Sequence, residues 1–184
     1  AAMRILMLLA VAASMSGSQF LPLAVFAMVR LSVKYGNSAV ATYGYSLYGA
    51  MLCDKFGDIE GGYRFGQLGI LLLEKIDANS FKCKVYFVFN AMIRQFKEPV
   101  KEAVTSMQDG IISALETGDI EFASYTACNL NKNLFLSGGN IEVLLRQLLQ
   151  YNDLMQQLKL KPVALIISII RETVFNFQDN SFNN

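Results

Sequence analysis

Histidine and tryptophan are absent from the 184 residues, and proline and cysteine appear only three times each. Without histidine the chain lacks the commonest general base, the Ser-His and Cys-His nucleophile pairs, and most catalytic zinc sites. It also contains no GxxxxGK[ST] phosphate loop, no kinase signature set and no GxSxG nucleophile elbow. These gaps argue against an enzyme, and no cofactor or metal is expected. Cys53, Cys83 and Cys128 are odd in number, far apart and set among apolar neighbours. They form neither a disulfide framework nor a zinc pattern, and they read as reduced core residues of a cytoplasmic protein.

Charge is scarce as well. Charged residues make up 17% of the chain, and sixteen basic against fifteen acidic side chains leave a net charge of +1. That balance gives no electrostatic case for nucleic acid or an anionic membrane. The one loose basic cluster, Lys82, Lys84, Arg94, Lys97 and Lys101, has Glu98 and Glu102 within it. The apolar runs at 5–13 and 163–170 fall short of the roughly 20 residues a membrane-spanning helix needs, so no transmembrane segment is expected.

What the chain has in excess is apolar surface, at 53% hydrophobic residues. This suits one domain over residues 1–178 with a substantial core, a frayed tail over 179–184, and apolar surface left for a partner or for self-association. Between punctuation marks the apolar residues recur with helical period. Gly17-Ser18, Gly36-Asn37-Ser38, Gly57-Asp58, Asn79-Ser80, Glu98-Pro99, Gly118-Asp119, Gly138-Gly139-Asn140 and Pro162 divide the chain into about nine helices with short connections. The fifth is expected to run unbroken from Asn79-Ser80 to Glu98.

The junction recurs as Gly57-Asp58-Ile59-Glu60, Gly118-Asp119-Ile120-Glu121 and Gly139-Asn140-Ile141-Glu142. In each, glycine closes one helix, Asp or Asn caps the next, and an acid faces the positive end of the helix dipole. Capping is therefore a better account of these acids than a catalytic carboxylate pair. The fold class expected is all-α, with antiparallel hairpins stacked as a tetratricopeptide-like superhelix, although the pairs are longer than the standard repeat of about 34 residues. Gly62, Gly66 and Gly69 fall on one face of the fourth helix. Each glycine costs roughly 1 kcal/mol relative to alanine there, which suggests close backbone approach, with Ala50 on the facing helix. A phosphate cradle in GDIEGGYRFGQLG is the competing reading.

The opening stretch AAMRILMLLAVAASMSGSQF allows two readings. Arg4, the run at 5–13 and Ala10-Val11-Ala12 would suit an export signal, and they equally suit a buried first helix. The second is the expectation: a first core helix, apolar on most sides, at a cut edge of a longer chain.

Taken in order, RILMLLA, VRLSVKYGNS, YGAMLCDKFGDIEGGYRFGQLGILLLEKI, KVYFVFNAMIRQFKEPVKEAV and LETGDIEFASYTACNLNKNLFLSGGNIEVL resemble one helical region of large hybrid signalling kinases, known especially from cyanobacteria. In that family the region follows an AAA/STAND-type ATPase module and precedes sensor and histidine-kinase modules, with a serine/threonine kinase-like domain usually at the amino end. The absence of Trp and His and the less similar LIISIIRETVFNF depart from the pattern. The resemblance implies a non-catalytic, cytoplasmic protein-interaction arm that restrains a signalling ATPase, its partners being neighbouring ATPase or sensor domains or a peptide. The alternative is a sensor that binds a small molecule in the superhelical groove.

If the third and fourth, fifth and sixth, and seventh and eighth helices form the hairpins, the first helix of each lines the concave face. Candidate groove residues are then Asn90 and Arg94 on the fifth helix and Thr126, Asn129 and Asn133 on the seventh. On the third helix Tyr45, with Tyr43 and Tyr48, could contact a ligand or pack between repeats. The spaced methionines, Met28, Met51, Met92, Met107 and Met155 among them, read as core filler.

Overall fold

The computed structural model describes residues 1–138, 140–157 and 161–181. Among them are nine α-helices and no strand. Packing divides the chain into two compact units, Ala1–Glu98 and Pro99–Asn184, within what the sequence presents as one domain.

The first unit contains α1 (Ala2–Met15), α2 (Phe20–Tyr35), α3 (Ala39–Phe56), α4 (Ile59–Lys75) and α5 (Lys82–Val88). α1 pairs with α2 and α3 with α4, while α3 also packs on α1, α2 and α5. Surrounded in this way, α3 buries residues on every side, from Val40 to Cys53. Its composition fits that position. Small residues bring neighbouring helices close, and buried hydroxyls bond within the helix: Thr42 Oγ1 donates to Ala39 O at 2.6 Å and Ser46 Oγ to Thr42 O at 3.1 Å. The tyrosines pack between helices, with Tyr48 edge-on to Phe65 at 4.6 Å and to Phe26 at 5.9 Å.

The α3–α4 hairpin is a glycine seam. A methyl group added at Gly49 would lie 2.5 Å from Gly62 O and 2.9 Å from Gly66 N; one at Gly62 would strike Cys53 Sγ and come within 2.6 Å of Gly49 O. At Gly69 it would strike Ser46 Oγ and reach Thr42 O at 2.8 Å. Close approach is thus the reason for the glycines, and the filled seam leaves no room for a phosphate. The facing residues are Thr42, Ser46, Gly49 and Cys53, not Ala50, which lies one position out of register with the seam.

The fifth helix is not continuous. A 3-10 turn, Asn79–Phe81, leads into α5, which passes into a π-helical turn, Phe89–Ile93, and a 3-10 turn, Arg94–Phe96. A methyl group at Gly66 would meet Phe89 Cδ2 at 2.6 Å and Ile93 Cδ1 at 2.8 Å, so the π turn presses both side chains onto bare α4 backbone.

The second unit opens with a 3-10 turn, Val100–Ala103, followed by α6 (Val104–Thr117), α7 (Ile120–Leu136), α8 (Ile141–Gln157) and α9 (Lys161–Ser181). Here α6 pairs with α7 and α8 with α9, with α7 packing on both α8 and α9. The expected register, fifth with sixth and seventh with eighth, is therefore corrected. Pro99 ends the first unit's last segment, and the next hairpin starts with α6. Cys128, Leu144, Leu148, Met155, Val163, Ala164, Ile167 and Val174 form its main cluster.

Two of the three recurrent junctions cap the next helix through a side chain; Asp119 stands at the N-cap of α7 without a side-chain cap bond. Gly57 and Gly118 close α3 and α6 in the left-handed conformation at φ +68° and +76°. Asp58 Oδ1 accepts from Gly61 N at 2.8 Å, and Asn140 Oδ1 from Val143 N at 3.0 Å. In the third copy the left-handed residue is Gly138 (φ +75°); Gly139 lies outside the described residues. α9 continues through Ser181, and the rest of the tail lies outside them too.

Two predictions follow from this packing. Gly49→Ala should cost about 3 kcal/mol in urea unfolding, since backbone flanks the new methyl on two sides. Gly57→Ala, with open space but a positive φ, should cost only about 1 kcal/mol; equal losses would mean the seam is not tight. The three cysteines are free and buried, and burial pushes the Cys128 thiol from 9.0 up to about 11. At pH 8 its thiolate is then about a hundredfold scarcer than that of an ordinary thiol. Iodoacetamide should leave Cys128 unmodified in the native protein and label it in denaturant; rapid native labelling would refute this core placement.

Candidate functional site

The six sequence-nominated residues do not assemble into one site. Asn90, Arg94 and Tyr45 belong to the first unit, and Thr126, Asn129 and Asn133 to the second. Within the second unit, Thr126 and Asn133 are buried. Thr126 Oγ1 donates to Phe122 O at 2.7 Å, Asn129 Nδ2 to Tyr125 O at 3.2 Å, and Asn133 Nδ2 to Met107 Sδ at 3.7 Å. Asn131, not nominated, is fully buried and donates to Ala127 O at 2.8 Å. Ser124, Thr126, Asn129 and Asn131 thus donate hydrogen bonds to the carbonyl four residues back, which offsets part of the cost of an apolar interior, although Asn131 Oδ1 is buried without a partner among the described residues.

Tyr45 is likewise buried. Its hydroxyl donates to Asn37 Oδ1 at 3.0 Å and its ring stacks on Phe65, fastening the α2–α3 turn to α4. Burial pushes its pKa up.

Asn90 and Arg94 are brought together, in a clamp that the sequence showed only in part. Asn90 Nδ2 donates to Tyr86 O at 2.9 Å, and its Oδ1 accepts from Arg94 Nη1 at 2.8 Å. Arg94 Nε pairs with Glu98 at 2.9 Å, and the guanidinium lies 5.1 Å from the Phe89 ring centre. Glu98 also accepts from the Tyr63 hydroxyl on α4. That bond, followed by burial and the charge of Glu98, pushes the Tyr63 pKa up. Lys97 completes the clamp, pairing with Glu60 at 2.8 Å over the Tyr63 ring. Tyr63, Glu60, Lys97 and Glu98 were missed because they join segments 35 or more residues apart. The opposed charges within the basic cluster were the available signal.

These groups hold the segment after α5 against α4 and present no nucleophile and base to a substrate. Among the described residues, no three His, Cys, Asp or Glu side chains are grouped to hold a metal, and no helix is long and apolar enough to cross a membrane.

Large apolar side chains of α1 and α2 are left to solvent. α1 was expected to be a core helix covered by the next helices and, in a longer chain, by a preceding module; here it buries Ala10 and Ala13 and exposes Ile5, Leu8, Leu9 and Met15. The reason is close packing against α2 and α3, which favours alanine at the contact. α2 repeats the pattern, burying Ala24, Val25 and Met28 while Phe20, Leu23, Phe26 and Val33 face outward. The exposed positions fall three, four or seven residues apart, as in Ile5, Leu8 and Met15 or Phe20, Leu23, Phe26 and Val33, so each helix carries an outward apolar row.

Comparison with protein-family models, with curated proteins and with solved structures finds no match.

The clamp makes Arg94 and Asn129 respond differently to truncation. Arg94→Ala should destabilise the protein by about 2 kcal/mol by stranding Glu98 and Asn90, and Arg94→Lys should rescue only part of it. Asn129→Ala should stay within about 0.5 kcal/mol, because it loses only a bond to its own helix. Chemical denaturation checks both, and a neutral Arg94→Ala would exclude a structural clamp.

Proposed function

We propose that the chain is a non-catalytic helical interaction module whose outward apolar rows on α1 and α2 receive a protein partner. The observation that carries the reading is the inversion of those helices, with alanines inside and large aliphatic and aromatic side chains outside. Keeping such rows in water is unfavourable, and contiguous exposed apolar surface marks interaction sites. The near-neutral charge favours an apolar contact over one steered by electrostatics. The parent context, a regulatory arm beside an ATPase or sensor domain in a cytoplasmic signalling protein, rests on the sequence resemblance alone. In that setting the partner would bias one of two arrangements by its differential affinity.

The experiment replaces Leu8 and Leu23, both 63% exposed, with glutamate. Folding stability is expected to stay within about 1 kcal/mol of the parent, while the reversible self-association expected of the parent chain in sedimentation velocity is lost. A parent chain that stays monomeric at high concentration, or a double variant that unfolds, would refute the rows as an interface.

A further inference from the structure

The first unit also contains a cavity of about 290 Å³ at the inner side of the α1–α2–α3 layer. Its floor is built from the buried side chains of Val25, Leu47, Ala50 and Met51. The wall opposite α3 comes from the turns after α5, where Met92 and Phe96 border the cavity and are themselves partly exposed. This follows from the π turn. Phe89 and Ile93 are committed to the glycine seam, which leaves Ala91 and Met92 of the same turn to line the cavity. The only charges at its edge, Asp54 and Lys55, pair with each other at 2.8 Å in solvent. Gln95 is a neutral donor and acceptor at the same rim.

We infer that this cavity is a binding site for a neutral, largely apolar small molecule of bicyclic size with one hydrogen-bonding group. The volume sets the size, being about twice the ~150 Å³ of an apolar cavity that takes benzene. The floor sets the polarity: it offers no partner to a charge, and burying one there is costly. Met51 and Met92 give the walls the adaptability of flexible, polarisable side chains. Gln95 and Ser14 are the neutral polar side chains lining the cavity, and either can meet the ligand's single polar group. The site is separate from the apolar rows of α1 and α2, so neither reading depends on the other.

The test uses 5-fluoroindole with the full chain carrying ¹³C-methyl methionine. Titration should shift the Met51 and Met92 methyl signals, assigned through Met51→Leu and Met92→Leu, and leave those of Met107 and Met155 in place. A dissociation constant on the order of 0.1 mM is expected for a ligand of this size. Ala50→Leu, which fills the floor, should weaken binding at least about tenfold, and a fluorobenzoate anion should bind at least about tenfold more weakly than the indole. Should Ala50→Leu fail to fold, Ala91→Leu fills the opposite wall, and the methyl shifts of the parent chain decide the matter without either variant. No binding at millimolar probe, shifts confined to other methionines, or equal affinity for the anion would each overturn the inference.

Discussion

Backbone-to-backbone contact between α3 and α4 is the constraint on which the first unit depends. Gly49, Gly62 and Gly69 allow the two helices to approach until carbonyl oxygens lie where a side chain would begin. Gly62, Gly66 and Gly69 on the packed face of α4 cost about 3 kcal/mol of helix propensity relative to alanine, and only what is gained by the close packing can offset that. The consequences spread outward. With α4 so close on one side and α1, α2 and α5 on the others, α3 is buried on every side from Val40 to Cys53 and meets solvent only at its last turn, so a buried polar group on it must be satisfied internally. Thr42 and Ser46 meet that condition through their own helix carbonyls, and both appear at the seam because a larger side chain would not fit.

The same constraint explains the irregular segment after α5. Gly66 opens a hollow on α4 that Phe89 and Ile93 fill together. The π turn carries these two residues at its ends and sets both against the one glycine. Widening would leave the segment's end poorly held. The clamp of Arg94, Glu98, Tyr63, Lys97 and Glu60 ties that end back to the first turns of α4. Glycine seam, π turn and clamp are one construction, reaching from Gly49 to the proline that begins the second unit.

How much of this was legible in the sequence differs by kind of feature. Helix count, most boundaries and the capped junctions were readable because they are local: Gly57-Asp58 and Gly118-Asp119 carry their own conformational reasons. The glycine face of α4 was readable as an anomaly of propensity. Its partner residues were not, since choosing Gly49 over Ala50 requires the rotation of α3, and a helix apolar or small on all sides gives no moment to orient it. Pairing of the later helices was misread because Pro99 looked like a hairpin turn when it begins a new unit. The nominated polar residues were chosen for standing out on apolar faces. Asn90, Thr126 and Asn133 stand out because they are buried, and the i−4 bond that makes such burial tolerable for Asn90 and Thr126 is invisible to a pattern search.

The apolar excess of the composition can now be located. A core can hold only so much bulk when its central helices meet through glycine, alanine, serine and threonine, since close packing trades side-chain volume for proximity. In the first unit the small residues occupy the contacts, and the displaced bulk appears on the outer faces of α1 and α2 and around the cavity at Met92 and Phe96. High hydrophobicity here therefore does not measure a large interior. In the first unit part of it lies on faces that a partner or a small ligand could cover. A charged residue at Leu8 or Leu23 would cost folding little, so folding alone gives no reason for leucine at these exposed positions; the proposed interface does.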